Sequence, residues 1–189
     1  MHNRRMNAEV DDQYLVLSAL GPDRPGLVSQ VTRHLTEHGG NIEDSRMAVL
    51  GGEFGILVLV RATGSEIRRI ESELSRLETE TGLKIITRPT KSPEAHRRAT
   101  SIPVAITADA IDHEGIVNAV STALHLLEVN IVSLETSSYN APVTGSPLFR
   151  LVAKVDVPRD VTVPNLRKRL DEVAERLNID IDVRAVVGR

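Results

Sequence analysis

The stretch GPDRPGLVSQV, residues 21–31, sets Asp23, Arg24 and Gly26 immediately before an apolar helical pattern. A glycine in the first turn leaves no side chain over the backbone amides there, and those amides have no acceptor within the helix. The helix dipole adds partial positive charge at the same place. Such a constellation is an anion receptor, and a carboxylate fits it. A purely structural role is open as well: Asp23 as N-cap, Pro25 in the first turn where its missing N–H is harmless, and Gly26 for close packing. Asn41 follows Gly39-Gly40 and carries an amide that donates and accepts together, which suits the carboxylate and ammonium of a zwitterion. It is expected at the head of a strand lying beside the far end of the first strand. Its alternative is a turn residue between helix and strand.

The same constellation occurs twice. Asp23, Gly26, Val28, Val31, Leu35, Asn41 and Ile42 fall, at one constant offset, on Asp112, Gly115, Val117, Val120, Leu124, Asn130 and Ile131. After an insertion around NAPVTGSP the match resumes with Phe54 on Phe149. Ile67, Ile70, Leu74 and Leu77 then fall on Val163, Leu166, Leu170 and Val173. The chain is two copies of one module.

Within the first copy, YLVLSAL (14–20) reads as a strand, and apolar positions 27, 28, 31 and 35 define one helical face that Gly39-Gly40 ends. NIEDSRMAVL (41–50) returns to an extended pattern. Gly51-Gly52 turns it into FGILVLVRA (54–62). Ile67, Ile70, Leu74 and Leu77 predict a second helix ended by Gly82, and LKIITR (83–88) a last strand. The second copy gives strands over 101–108, 130–139, 148–157 and 179–186, with helices over 115–128 and 163–177. This β-α-β-β-α-β order predicts an α+β protein of two ferredoxin-like modules, each a four-stranded antiparallel sheet with two helices on one face. The expected organisation is a flexible tail over 1–12, a first domain over 13–90, a linker over 91–99 and a second domain over 100–187. GILVLV is apolar at consecutive positions, so both faces of that strand want cover. Packing between modules or onto a second chain is therefore expected.

Composition narrows the function. Tyr14, Phe54, Tyr139 and Phe149 are the only aromatics, and the net charge is −3, so neither stacking platforms nor a basic footprint for nucleic acid is available. The cluster His96, Arg97, Arg98 reads as a solvated connector. Without cysteine there is no disulfide framework and no thiolate chemistry. The N-terminus lacks the apolar run of a signal peptide, and no stretch approaches the length of a membrane span, so the expected location is the cytoplasm, away from membranes. His34 and His38 stand four apart on the first helix, a spacing that can bind metal. Leu35 occupies the position where a helical zinc-protease motif has its acid, and two histidines on a solvated face is the better account. With no phosphate loop, nucleophile elbow or assignable pair of carboxylates, no catalytic residue, metal or cofactor is expected, and the chain reads as a non-enzyme.

The DRPGLV and GGNI pairing, with the β-α-β-β-α-β order, resembles the ACT domain, a regulatory module that commonly senses amino acids. The resemblance covers nearly all of residues 12–187 in two copies; DHEGIV followed by VNI is the weaker match. A tandem pair with no attached catalytic domain is similar to the glycine cleavage system transcriptional repressor family, whose members are thought to act through a partner regulator and not by holding DNA. By that resemblance, ligand sits between paired modules. Its contacts are Asp23, Arg24, Gly26, Leu27, Asn41 and Ile42 in the first copy, with Asp112, Gly115, Ile116 and Asn130 in the second. A loop of Gly, Pro and Asp beside Leu27 leaves little room for a large side chain, which suits glycine or serine. The resemblance also implies a partner regulator protein or enzyme and a homo-oligomer. In the second copy His113-Glu114 replace Arg-Pro and Ala110 replaces Gly21, which marks an altered or unused pocket there. The alternative is a regulatory or assembly subunit of an amino-acid enzyme without a ligand site of its own. Modules of this kind also precede the catalytic domain of formyltetrahydrofolate deformylases; the start at Met1 and the ending VVGR just past a complete module favour a whole chain.

Overall fold

Alternation along the strands builds the first core. In a computed structural model that describes residues 12–96, 101–142 and 145–186, Leu15, Leu17 and Ala19 of β1 (Asp12–Pro22) are buried alternately. Ile56, Val58 and Val60 of β3 (Glu53–Thr63) do the same. Onto this face pack Leu27, Val31 and Leu35 of α1 (Leu27–Glu37) and Ile70 of α2 (Gly64–Ser72). β2 (Asn41–Leu50), α3 (Leu74–Thr81) and β4 (Lys84–Thr90) complete the module. All pairings are antiparallel, in the order β2-β3-β1-β4. The opposite face carries exposed Leu20, Leu57 and Ile86, which share that face because Leu57 and Ile86 both pair with Ser18.

The second module repeats the order as β5 (Ser101–Ile111), α5 (Ile116–Leu126), β6 (Asn130–Asn140), β7 (Pro147–Pro158), α6 (Val163–Leu177) and β8 (Asp180–Ala185), with strands ordered β6-β7-β5-β8. Both second strands skip one residue in the same place, Glu43 in β2 and Val132 in β6. The chain divides into two compact units, Met1–Arg97 and Arg98–Arg189.

Three expectations change. The helix predicted through positions 67–77 is broken at Glu73 into α2 and α3, whereas its counterpart α6 is continuous. Val28, placed on the buried face by its spacing, is 41% exposed. The segment expected as a linker over 91–99 contains a short helical turn, α4 (Pro93–His96), after β4 ends at Thr90. The expected flexible tail lies outside the described residues apart from Asp12, which opens β1, and Arg97 and Arg98 also lie outside them.

Candidate functional site

Each module reaches its first helix through a glycine held in the left-handed region. Gly26 has φ 93° and ψ −5°, and Gly115 has φ 92° and ψ −5°. An L side chain is strained there, which is why both positions are glycine. Each glycine is the N-cap: the Gly26 carbonyl accepts the Gln30 N–H at 3.0 Å and the Gly115 carbonyl accepts the Ala119 N–H at 2.9 Å. No side chain caps either helix, and neither first turn contains an acid. The structural reading with Asp23 as N-cap therefore fails. The Asp23 N–H instead donates to the Gly52 carbonyl at 2.9 Å, and the Asp112 N–H to the Pro147 carbonyl at 2.9 Å, each tying the loop to the neighbouring strand pair. The amides of each first turn thus have neither a capping side chain nor an acid to offset the dipole.

The neighbouring side chains are more committed than their types suggest. Arg24 donates through Nη2 to Gln30 Oε1 and to the Glu80 carbonyl, both at 3.0 Å, and so closes the C-terminal turn of α3. His113 takes the equivalent place, with Nε2 3.2 Å from the Leu177 carbonyl and Nδ1 3.0 Å from the Glu114 carbonyl. Leu27 and Ile116 are 1% and 2% exposed, so their side chains belong to the core.

Asn41 is not where the sequence put it. β3 lies between β2 and β1, and Asn41 pairs with Arg61, which pairs with Tyr14 near the start of β1. The loop carrying Gly26 leaves from the other end, after Pro22. Tyr14 and Pro22 are separated by eight residues of strand, roughly 26 Å. The Asn41 amide donates to Glu43 Oε1 at 2.7 Å, Glu43 accepts from Arg61 Nε at 2.6 Å, and Arg61 Nη1 reaches Asp12 Oδ2 at 2.8 Å. Arg61 first, then Asn41, hold the Glu43 carboxyl below its ordinary range, and Glu43 followed by Asp12 raises Arg61. Ile42 packs against the core, and Asn130 is exposed opposite Asp156.

His34 departs from its expected place. Instead of lying on a solvated face it is 8% exposed, with Nε2 donating to the Ile70 carbonyl at 3.1 Å. Its ring lies against that of His38, tilted by 39° with centroids 4.5 Å apart, and His38 Nδ1 donates to the His34 carbonyl at 2.7 Å. Burial, more than any other influence, lowers the His34 pKa. The sequence signal was available, since the repeat puts buried Ala123 at the same helical position. Among the described residues no group of three or more His, Cys, Asp or Glu side chains is placed to hold a metal ion, and no helix is long and apolar enough to cross a membrane.

The ACT domain profile matches residues 13–87, and the chain is similar to the crystal structure of an unknown protein from Galdieria sulphuraria. That pair shares 34% identity with a TM-score of 0.80 over 94% of this chain and all of the other. The chain carries an ACT domain over residues 13–87. The second module, which lies outside that match, repeats the topology of the first. The chain is also similar to the glycine cleavage system transcriptional repressor of Escherichia coli, at 28% identity over 92% of this chain and 90% of the relative. A UPF0237 protein of Methanopyrus kandleri is 33% identical over 73 residues, which are 38% of this chain and 81% of that protein. The crystal structure of a putative glycine cleavage system transcriptional repressor shares the fold, with a TM-score of 0.70 and 24% identity over 94% of this chain and 99% of the other.

Proposed function

We propose that the chain is a regulatory protein, not an enzyme, that senses a small amino acid such as glycine or serine and passes its occupancy to a partner regulator of glycine or one-carbon metabolism by protein contact. The carrying observation is the pair of first turns at Gly26 and Gly115, each free of a capping side chain and of acid. An α-carboxylate accepts hydrogen bonds from such amides and is favoured by the dipole. Similarity to the glycine cleavage system transcriptional repressor over 92% of the chain supports the regulatory part. Direct nucleic-acid binding has little to work with, because Phe54 is 2% exposed and the net charge is −3.

A ligand held at Gly26 takes no contact from Asn41 of the same module, given their separation along the sheet. In this proposal Asn41 serves a ligand held by a second copy of the chain, and occupancy stabilises that association because the ligand binds the paired arrangement better. Titration calorimetry with glycine and with serine tests the reading on the intact protein. Ser29→Asp and Asn118→Asp place a carboxylate in each first turn, satisfying the amides and repelling the ligand. The expectation is saturable heat for one of the two amino acids, lost at least tenfold in affinity in the double variant. Silence from both at millimolar concentration rejects sensing. It favours the alternative of an assembly subunit, for which the commitment of Asn41 to Glu43 already speaks.

A further inference from the structure

The two modules close the same end of the sheet differently. In the first, β4 begins at Lys84 opposite Leu20, and β1 runs on through Gly21. A Cβ on Gly21 would lie 2.8 Å from the Gly82 carbonyl and 3.2 Å from Leu83 Cα, so the chain leaving α3 lies directly on the strand. Phe54, paired with Gly21, is sealed beneath at 2% exposure. In the second module Ala110 occupies the place of Gly21, and it pairs with Phe149 as Gly21 does with Phe54. The methyl group forbids the close approach seen in the first module. A cavity of about 520 Å³ stands there instead, with Ala110, Phe149, Ala174 and Ile179 among its walls, and Phe149 is only partly buried.

The polar groups change with the shape. The register pair that closes the first sheet is Leu20 with Lys84, whereas the matching pair in the second is Asp109 with Asp180, both lining the cavity. Two carboxylates directly opposite one another repel. Arg150 answers one of them, donating to Asp109 through Nε at 2.7 Å and Nη2 at 3.1 Å. Asp180 has no such cation among the described residues, and Glu175 and the Tyr139 phenol line the same space. No lysine or arginine is among the described lining residues. A volume of this order, with an apolar wall and a few convergent polar groups, is the usual form of a small-molecule site.

We propose that this cavity of the second module binds a small organic cation with an apolar body, its ammonium set against Asp180 and Glu175 and its hydrocarbon against Phe149 and Ala174. The site is distinct from the helix starts and stands or falls independently of amino-acid sensing there.

Ligand-observed NMR and calorimetry on the intact chain test it with three probes of one shape: 2-phenylethylammonium, 2-phenylethanol and 3-phenylpropionate. The ammonium probe is expected to bind saturably and roughly tenfold more tightly than the alcohol, the size of a charge-assisted contact at a half-open site, with the carboxylate weakest. Glu175→Gln with Asp180→Asn brings the ammonium probe down to the alcohol's affinity, while Ala174→Leu, which fills the cavity, abolishes binding of both. Ser29→Asp leaves the affinities of the ammonium and alcohol probes unchanged. Equal binding of ammonium and alcohol to the wild-type chain, or undiminished binding to a folded Ala174→Leu variant, overturns the proposal; circular dichroism establishes that each variant is folded.

Discussion

The second helical segment is broken in the first module and continuous in the second, and the difference traces to one residue on the facing helix. His34 gives its Nε2 hydrogen bond to the Ile70 carbonyl, the group that an unbroken helix presents to the N–H of residue 74. A side chain inserted into this ladder is a known cause of helix bending, and the break follows one turn later at Glu73. In the second module buried Ala123 stands where His34 does, makes no such bond, and α6 runs unbroken from Val163 to Leu177. Identical apolar spacing thus supports two backbones, and a polar atom on the neighbouring helix chooses between them.

The sharpest test exchanges the small residues at the sheet end. Gly21→Ala is expected to destabilise the first module by about 1–3 kcal/mol, because the new methyl meets the Gly82 carbonyl, which is backbone and cannot rotate away. Ala110→Gly should change stability by less than about 1 kcal/mol, mostly through the freedom of the unfolded chain. Urea denaturation of each variant measures both; equal effects would erase the distinction drawn between the two modules.

A smaller effect separates the modules by pH. Burial lowers the pKa of His34 in the folded state, so the unfolded chain takes up that proton more readily. Stability from this group is complete above the ordinary histidine pKa of about 6.5 and is lost as the pH falls from there toward the lowered folded value. Arg33, Glu37 and His38 on α1, with Glu73, Arg76 and Glu80 across the gap, share its surroundings. His34→Ala should remove this contribution to the slope while His113→Ala leaves it in place, read from denaturation midpoints between pH 7.5 and 5.5.

The smallest expected contrast lies at the starts of the second helices. Thr63 accepts the Glu66 N–H at 3.3 Å while Glu66 Oε2 accepts the Thr63 N–H at 2.8 Å, a reciprocal pair. Thr162 accepts only the Asn165 N–H, at 3.3 Å. Thr63→Ala should cost about 1 kcal/mol and Thr162→Ala less, measured by thermal melts.

The topology was legible because burial repeats along each element. Leu15, Leu17 and Ala19 alternate, Leu27, Val31 and Leu35 recur at helical spacing, and the internal repeat reads both modules at once. The glycine-led helix starts were legible too, through the repeat. The position of Asn41 was not, since strand order is set by pairing between distant segments and leaves no mark near residue 41. The same holds for His34 and Ile70, which meet across 36 residues of chain. The cavity beside Phe149 depends on how closely two backbones approach, and the exchange of Gly21 for Ala110 is its only trace in the sequence.

Gly26 and Gly115 share one backbone conformation to within a degree in both angles. Folding alone is enough to keep a glycine at each of these codons, whatever the modules bind. A difference in what the two modules bind would instead be written beside them, where Arg24 stands against His113 and Pro25 against Glu114.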